Sequence, residues 1–195
     1  METIAAALRD AGRMMLALDP ALVEIVLLSL RVSLTAVLVA TLVGLPLGAA
    51  IAVRRFPGRR AVVIVLNALM GLPPVVVGLV VYLLLSRSGP LGELGLLFTP
   101  GAMIIAQAIL ITPIIAALAR QAVEDAWREY QEQLRSLGAR PAQSALTLLW
   151  DTKFSLVTTV LAGFGRAAAE VGAVMIVGGN IDGVTVKETA QRRYG

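Results

Sequence analysis

The chain has 195 residues, of which 57% are hydrophobic and only 15% charged, with a formal net charge of +4 and a mean hydropathy of +0.82. Soluble domains run nearer half apolar and a quarter charged, so this composition is that of a membrane protein holding one helical bundle. Cysteine and histidine are absent, which excludes disulfides, thiolate or imidazole metal sites, and Cys/His or Ser/His/Asp catalysis. Excess positive charge in a soluble protein would suggest nucleic acid. Here the arginines flank apolar runs, so membrane topology accounts for them and no nucleic-acid partner is expected.

In chain order, residues 1–20 carry Arg9 and Arg13 against Glu2, Asp10 and Asp19. They lack the uninterrupted apolar core and small-residue site of a cleavable signal. The first span is anchored on the uncharged run 33–53, and reaches 22–53 if Glu24 and Arg31 are accommodated. Within it Pro46 lies between Gly44 and Gly48, a small-residue spacing that favours close helix contact. The loop after it holds Arg54, Arg55, Arg59 and Arg60 and no acid. A second span covers 61–85, with Pro73 and Pro74 in its middle. Two prolines there remove backbone donors and kink the helix, leaving carbonyls to be satisfied inside the bundle or along a water-filled path. The prolines are therefore either a packing kink or part of a translocation path. The loop 86–100 is nearly neutral, with Arg87 against Glu93.

The third span covers 101–119, and Pro113 after Thr112 invites a bend that the threonine hydroxyl can cap. A polar island, 120–153, follows with Arg120, Arg128, Arg135, Arg140 and Lys153. By the positive-inside rule this island and the 54–60 loop are cytoplasmic. Its apolar residues (Leu134, Leu137, Ala142, Leu146, Leu149 and Trp150 among them) recur at helical spacing on both sides of Gly138. That pattern reads as an amphipathic helix–turn–helix, with Gly138 supplying the left-handed backbone that ends the first helix. An apolar face in an aqueous loop wants a partner, either the underside of the bundle or a soluble subunit.

A fourth span, 154–178, is rich in small residues and carries Arg166 and Glu170. Four apart on a helix, these two share a face and can pair. Either the pair locks the helix against its neighbours, or Arg166 offers positive potential along an anion route while Glu170 holds it. The apolar spans hold no carboxylate cluster and no nucleophile with a base, so a membrane enzyme is not expected. Nor is ATP hydrolysis, because the sequence has no Gly-rich phosphate loop with lysine.

The run Glu132-Gln133-Leu134-Arg135-Ser136-Leu137-Gly138-Ala139, followed by the apolar stretch to Trp150, resembles the cytoplasmic coupling loop of ABC importer permeases, the EAA motif. Gln133 and Leu134 replace the motif's two small residues, and Trp150-Asp151 stands where a leucine-proline pair is usual. The runs 71–92 and 163–181 are similar to the oxyanion branch of that family, and closest to tungstate permeases among the related molybdate and sulfate systems. The resemblance implies an all-α, polytopic helical bundle of the type I importer kind. It implies a single transmembrane domain in a bacterial or archaeal cytoplasmic membrane, acting as a homodimer within lipid.

The resemblance further implies two partners, a cytoplasmic ABC ATPase and an extracytoplasmic substrate-binding protein, and no cofactor. By it, Glu132, Leu134, Leu137, Gly138 and Ala139 form the ATPase-coupling turn. Pro73, Pro74, Arg166 and Glu170 are candidates for the path or its gate. Permeases of the family carry a further helix beyond residue 178, where this sequence turns polar and stops. The expectation is therefore four spans and a missing final helix, and the alternatives are a permease for another solute or a truncated, non-transporting remnant.

Overall fold

Long apolar runs without backbone breakers dictate the two main elements. The structure, a computed structural model, describes residues 20–170, and all structural statements here concern those residues. Helix α1, Pro20–Val53, accommodates both Glu24 and Arg31 in one continuous helix. Helix α4, Pro100–Ser136, is 37 residues long. Within α1, the stretch Val26–Val53 is long and apolar enough to cross a membrane, as is α4.

Between them the chain forms α2, Arg59–Met70, and α3, Pro74–Leu85, then a single 3-10 turn at Gly92–Leu94. After α4 come α5, Pro141–Asp151, and α6, Lys153–Ala169.

The span expected over 61–85 is realised as two 12-residue helices bent by 100°. The cause is local. Pro73 is extended at φ −63°, ψ 130° and caps α3, and Pro74 takes its first turn, where a missing N–H costs nothing. The groups freed at the break are satisfied close by: the Pro73 carbonyl accepts from the Val76 and Val77 amides, and Gly71 and Leu72 donate to Ala68 and Leu69. Both prolines are at least partly exposed on the single chain.

The third span, expected over 101–119, lies within a longer helix. Helix α4 does not stop at Ala119 but continues 17 residues into the polar island, because nothing from Arg120 to Ser136 interrupts the i→i−4 ladder. Pro113 lies inside it, and the Thr112 hydroxyl donates to the Ala108 carbonyl at 2.6 Å. That is one residue before Ile109, whose carbonyl loses its usual donor to the proline. The described part of the fourth span is helical to Ala169, with α5 and α6 bent by 77°. Residues 171–178 of it, and the tail on which the missing-helix expectation falls, lie outside the described residues.

Helix α1 packs along α4, and their contact is the spine of the bundle. Its core joins Ala36, Val37 and Ala40 to Ala108, Ile111 and Ile115, with Ala167 of α6 closing one side. Small residues permit this approach. A Cβ on Gly48 would stand 2.5 Å from the Ala116 carbonyl oxygen and 2.8 Å from the Arg120 nitrogen, as the Gly44–Gly48 spacing suggested. Helix α3 packs on the other end of α4 through Val77, Val81 and Leu85. The opposite face of α1 presents Val26, Leu30, Leu34, Leu38 and Leu42, all exposed at i, i+4 spacing, a stripe suited to lipid or a second subunit and not to water.

Candidate functional site: the 120–153 turn and its supports

Helix α4 ends because Gly138 is left-handed, at φ 70°. Its amide donates to the Arg135 carbonyl at 3.0 Å and the Ala139 amide to the Leu134 carbonyl at 2.9 Å. This is the paired bonding of a Schellman stop, and it satisfies the last carbonyls of α4 without side-chain help. Helix α5 then starts at Pro141, with the Gln143 Oε1 accepting from the Arg140 amide at 2.9 Å.

The turn thus brings Glu132, Leu134, Leu137, Gly138 and Ala139 to one end of the molecule. Glu132 is exposed and Leu137 is 82% exposed, an apolar tip held out of the bundle. Leu134 does the reverse: it turns inward beside Leu148, against the core cluster under the turn, and so anchors the turn. Ala139 is half-buried on the wall of a cavity. Beside the tip lies a small pocket of about 260 Å³ lined by Tyr130, Leu134, Leu137 and Asp151. The carboxylates of Glu129 and, next, Asp151 raise the Tyr130 phenol above its ordinary range, so it remains a proton donor there.

Replacing Gly138 tests this stop directly. An L-residue held left-handed costs about 1–2 kcal/mol, least for asparagine and most for a β-branched side chain. Gly138→Val is expected to depress transport several-fold at equal membrane levels and Gly138→Asn to retain most of it. Equal activity of the two variants would show that the backbone conformation here is not needed.

Sequence reasoning missed the support of the turn. Glu124, 19% exposed, receives three arginines: Arg59 at 3.1 Å, Arg128 at 3.5 Å, and Arg120 in direct contact. Arg59 also donates through Nε to the Ile51 carbonyl at 2.8 Å, near the end of α1. One carboxylate therefore ties α2, α4 and the end of α1 together. The spacing Arg120, Glu124, Arg128 was a legible signal, since i±4 charges alternate in sign on one helix face. Arg59 could not be assigned as the fourth member without the tertiary contact. That contact puts the 54–60 loop and the 120–153 island at the same end of the bundle, as their shared positive charge implied.

The other candidate set is only partly assembled. Arg166 and Glu170 do pair, at 3.2 Å, with Glu170 nearly buried just beyond the last residue of α6. Pro73 and Pro74 sit on elements without a substantial interface to α6 among the described residues. The structure does not bring these four residues into one site. On the outer side of α5 and α6 an apolar groove of about 830 Å³ runs past Leu45, Leu146, Trp150, Val157 and Leu161.

Two long apolar helices, two bent helix pairs and a projecting glycine-stopped turn are the architecture of a polytopic membrane bundle. Residues 44–193 match the family described as "Binding-protein-dependent transport system inner membrane component". The chain belongs to that family, and it is a multi-pass protein of the inner membrane.

Among its relatives is the tungstate uptake system permease protein TupB of Peptoclostridium acidaminophilum, 43% identical over 185 residues, covering 95% of this chain and 81% of the relative. The probable anion ABC transporter permease protein of Haloferax volcanii is 44% identical over 160 residues, 82% of this chain and 69% of that protein. The molybdenum transport system permease protein ModB of Escherichia coli is 31% identical over 171 residues, 83% and 74% of the respective chains.

Proposed function

We propose that this chain is the permease subunit of an ATP-driven importer of tungstate. Two copies enclose the path, and the 120–153 turn docks each on a separate ATPase subunit. An extracytoplasmic binding protein delivers the ion. The observation that carries the coupling role is the exposed, apolar Leu137 at the tip of a rigidly stopped helix. An 82% exposed leucine beside a shallow pocket suits insertion into a partner's cleft. Because α4 runs unbroken from that tip into the core, a push on the tip is delivered to the packed centre of the bundle. The choice of tungstate rests on the similarity to the tungstate permease, closer at 43% than the 31% to the molybdenum permease. In this reading the Arg166–Glu170 pair is a neutralised lock on α6, because a strong fixed cation in the path would hold an oxyanion too firmly to release it.

Uptake of labelled tungstate tests the substrate. Cells lacking their own importer would express the chain with its ATPase and binding protein, with excess molybdate or sulfate as competitor. Uptake that resists both competitors is the expected result. Uptake abolished by an equal amount of molybdate would move the assignment to that ion, and none with any oxyanion would reject it. Docking has its own test, since the chain has no cysteine. Leu137→Cys is expected to cross-link to a thiol in the ATPase cleft and to be shielded from a soluble maleimide when the ATPase is present. Full labelling in the assembled complex would reject the docking role.

A further inference from the structure

At the same end of the bundle as the coupling turn, a cavity of about 550 Å³ opens between the end of α1, the last turns of α4 and the start of α5. Its wall carries four arginines, Arg54, Arg55, Arg135 and Arg140, together with Trp127 and the buried Ser144. No aspartate or glutamate lines it. This contrasts with the neighbouring Arg59, Arg120 and Arg128, which share Glu124. Among the described residues, none of the four cavity arginines is in an ion pair.

Arg135 lies over the Trp127 ring, its guanidinium carbon 5.6 Å from the centroid, which holds its planar fork in place at the wall. A second feature converges on the same space. Helix α5 is 11 residues long and begins at the cavity. Pro141 has no N–H, and the Ala142 and Gln143 amides of the first turn find no backbone acceptor. Ala142 is itself on the cavity wall. Four guanidiniums without an ion pair among the described residues and the positive end of a helix surround one concave volume, which gives it a positive potential suited to an anion.

We propose that this cavity binds a tetrahedral oxyanion of the phosphate type, held by Arg54, Arg55, Arg135 and Arg140 and the first turn of α5. The proposal does not depend on which ion the protein carries. Guanidinium forks match tetrahedral oxyanions in bidentate fashion, and the aromatic wall suits the membrane–water boundary. The group comes either from an anionic phospholipid headgroup or from a free oxyanion in the cytoplasm. Since Ala139 and Arg140 belong both to the cavity wall and to the coupling turn, occupancy fixes the start of α5 against the end of α1.

Trp127 reports on the site directly. The chain has two tryptophans, so a Trp150→Phe background leaves Trp127 as the sole tryptophan, excited selectively at the red edge where tyrosine does not absorb. The full chain in that background would be placed in nanodiscs of pure phosphatidylcholine and titrated with sodium phosphate or tungstate at constant ionic strength. A parallel series would raise the phosphatidylglycerol fraction with no oxyanion in solution. A saturable change in Trp127 emission is expected in at least one series. Saturation in the first identifies a free ion as the source, and saturation in the second alone identifies the lipid.

Arg54→Gln/Arg140→Gln is expected to weaken the response about tenfold or more, the scale of losing charged hydrogen bonds. Arg60→Gln/Arg87→Gln, which removes the same charge at exposed positions outside the cavity, should leave it within about twofold. No saturable change in either series, or equal weakening by both double variants, would overturn the proposal.

Discussion

Gly48→Ala is expected to prevent the folded bundle from accumulating, although it adds a single methyl group. The new Cβ would lie 2.5 Å from the Ala116 carbonyl oxygen and 2.8 Å from the Arg120 nitrogen. Both are backbone atoms of α4, so no side chain can swing aside. Helices α1 and α4 must separate, and with them the contacts of Ala36, Ala40, Ile111 and Ile115 in the largest helix–helix interface among the described residues. Overpacking a core by a methyl group costs about 1–3 kcal/mol where side chains relax, and a helix–helix contact made by backbone relaxes less.

The expected result is a loss of the monodisperse peak in fluorescence-detected size exclusion, or a clearly lowered melting temperature. Gly165→Ala is the control. The same methyl group there meets nothing within 4 Å among the described residues, and alanine gains about 0.5–1 kcal/mol of helix propensity over glycine. A Gly48→Ala protein as stable as Gly165→Ala would mean that α1 and α4 do not approach this closely.

Glu124→Gln is expected to be the most damaging change among the acids of the 120–153 segment. It leaves Arg59, Arg120 and Arg128 around a neutral amide, and Arg120 already has its Nε buried without a partner. Breaking a buried pair by removing one partner costs about 3–5 kcal/mol. The groups here are 16–27% exposed apart from Arg128, which is 71% exposed, so the loss belongs at or below the lower end of that range. Its location is predicted as well. Arg59 is the charged link between α2 and α4, beside the apolar contact of Leu66 with Ala116 and Ala117, so the start of α2 should loosen first. Trypsin should then cut at Arg59 or Arg60 several-fold faster than in the unaltered protein, before global unfolding. Glu132→Gln, at an exposed position with no ion pair, should change neither stability nor cleavage. Equal protease resistance of Glu124→Gln and the unaltered chain would show that the cluster carries no structural weight.

The turn itself was legible in the sequence because its chemistry is local. Only glycine enters the left-handed region freely, so Gly138 between two helical patterns marks a helix end without any knowledge of the neighbours. The pairing of Arg166 with Glu170 was legible for the same reason, four residues being one helical turn. The break at Pro73 and Pro74 was visible as a disruption. Its size was not: a kink and a 100° reversal use the same two prolines, and packing of α3 against α4 selects between them.

That the helix of the third span runs on past Ala119 was not legible, because hydropathy reports where the solvent changes and the backbone ladder ignores that boundary. The Glu124 cluster and the arginine-lined cavity were hidden more deeply. Each joins residues from the 54–60 loop to residues more than 60 positions later, a distance at which no spacing rule acts.

By itself the sequence determined that this chain lives in a membrane, that the arginines of its 54–60 and 120–153 segments share one side, and that Pro73–Pro74 and Gly138 interrupt helices. All three follow from transfer free energies and from the backbone preferences of proline and glycine, which act residue by residue. Only the tertiary structure decided how closely α1 and α4 approach, which acid gathers the arginines of two loops, and which arginines are left facing an open cavity. Those outcomes depend on which surfaces meet when distant segments pack, and electrostatic and steric partners are chosen only then.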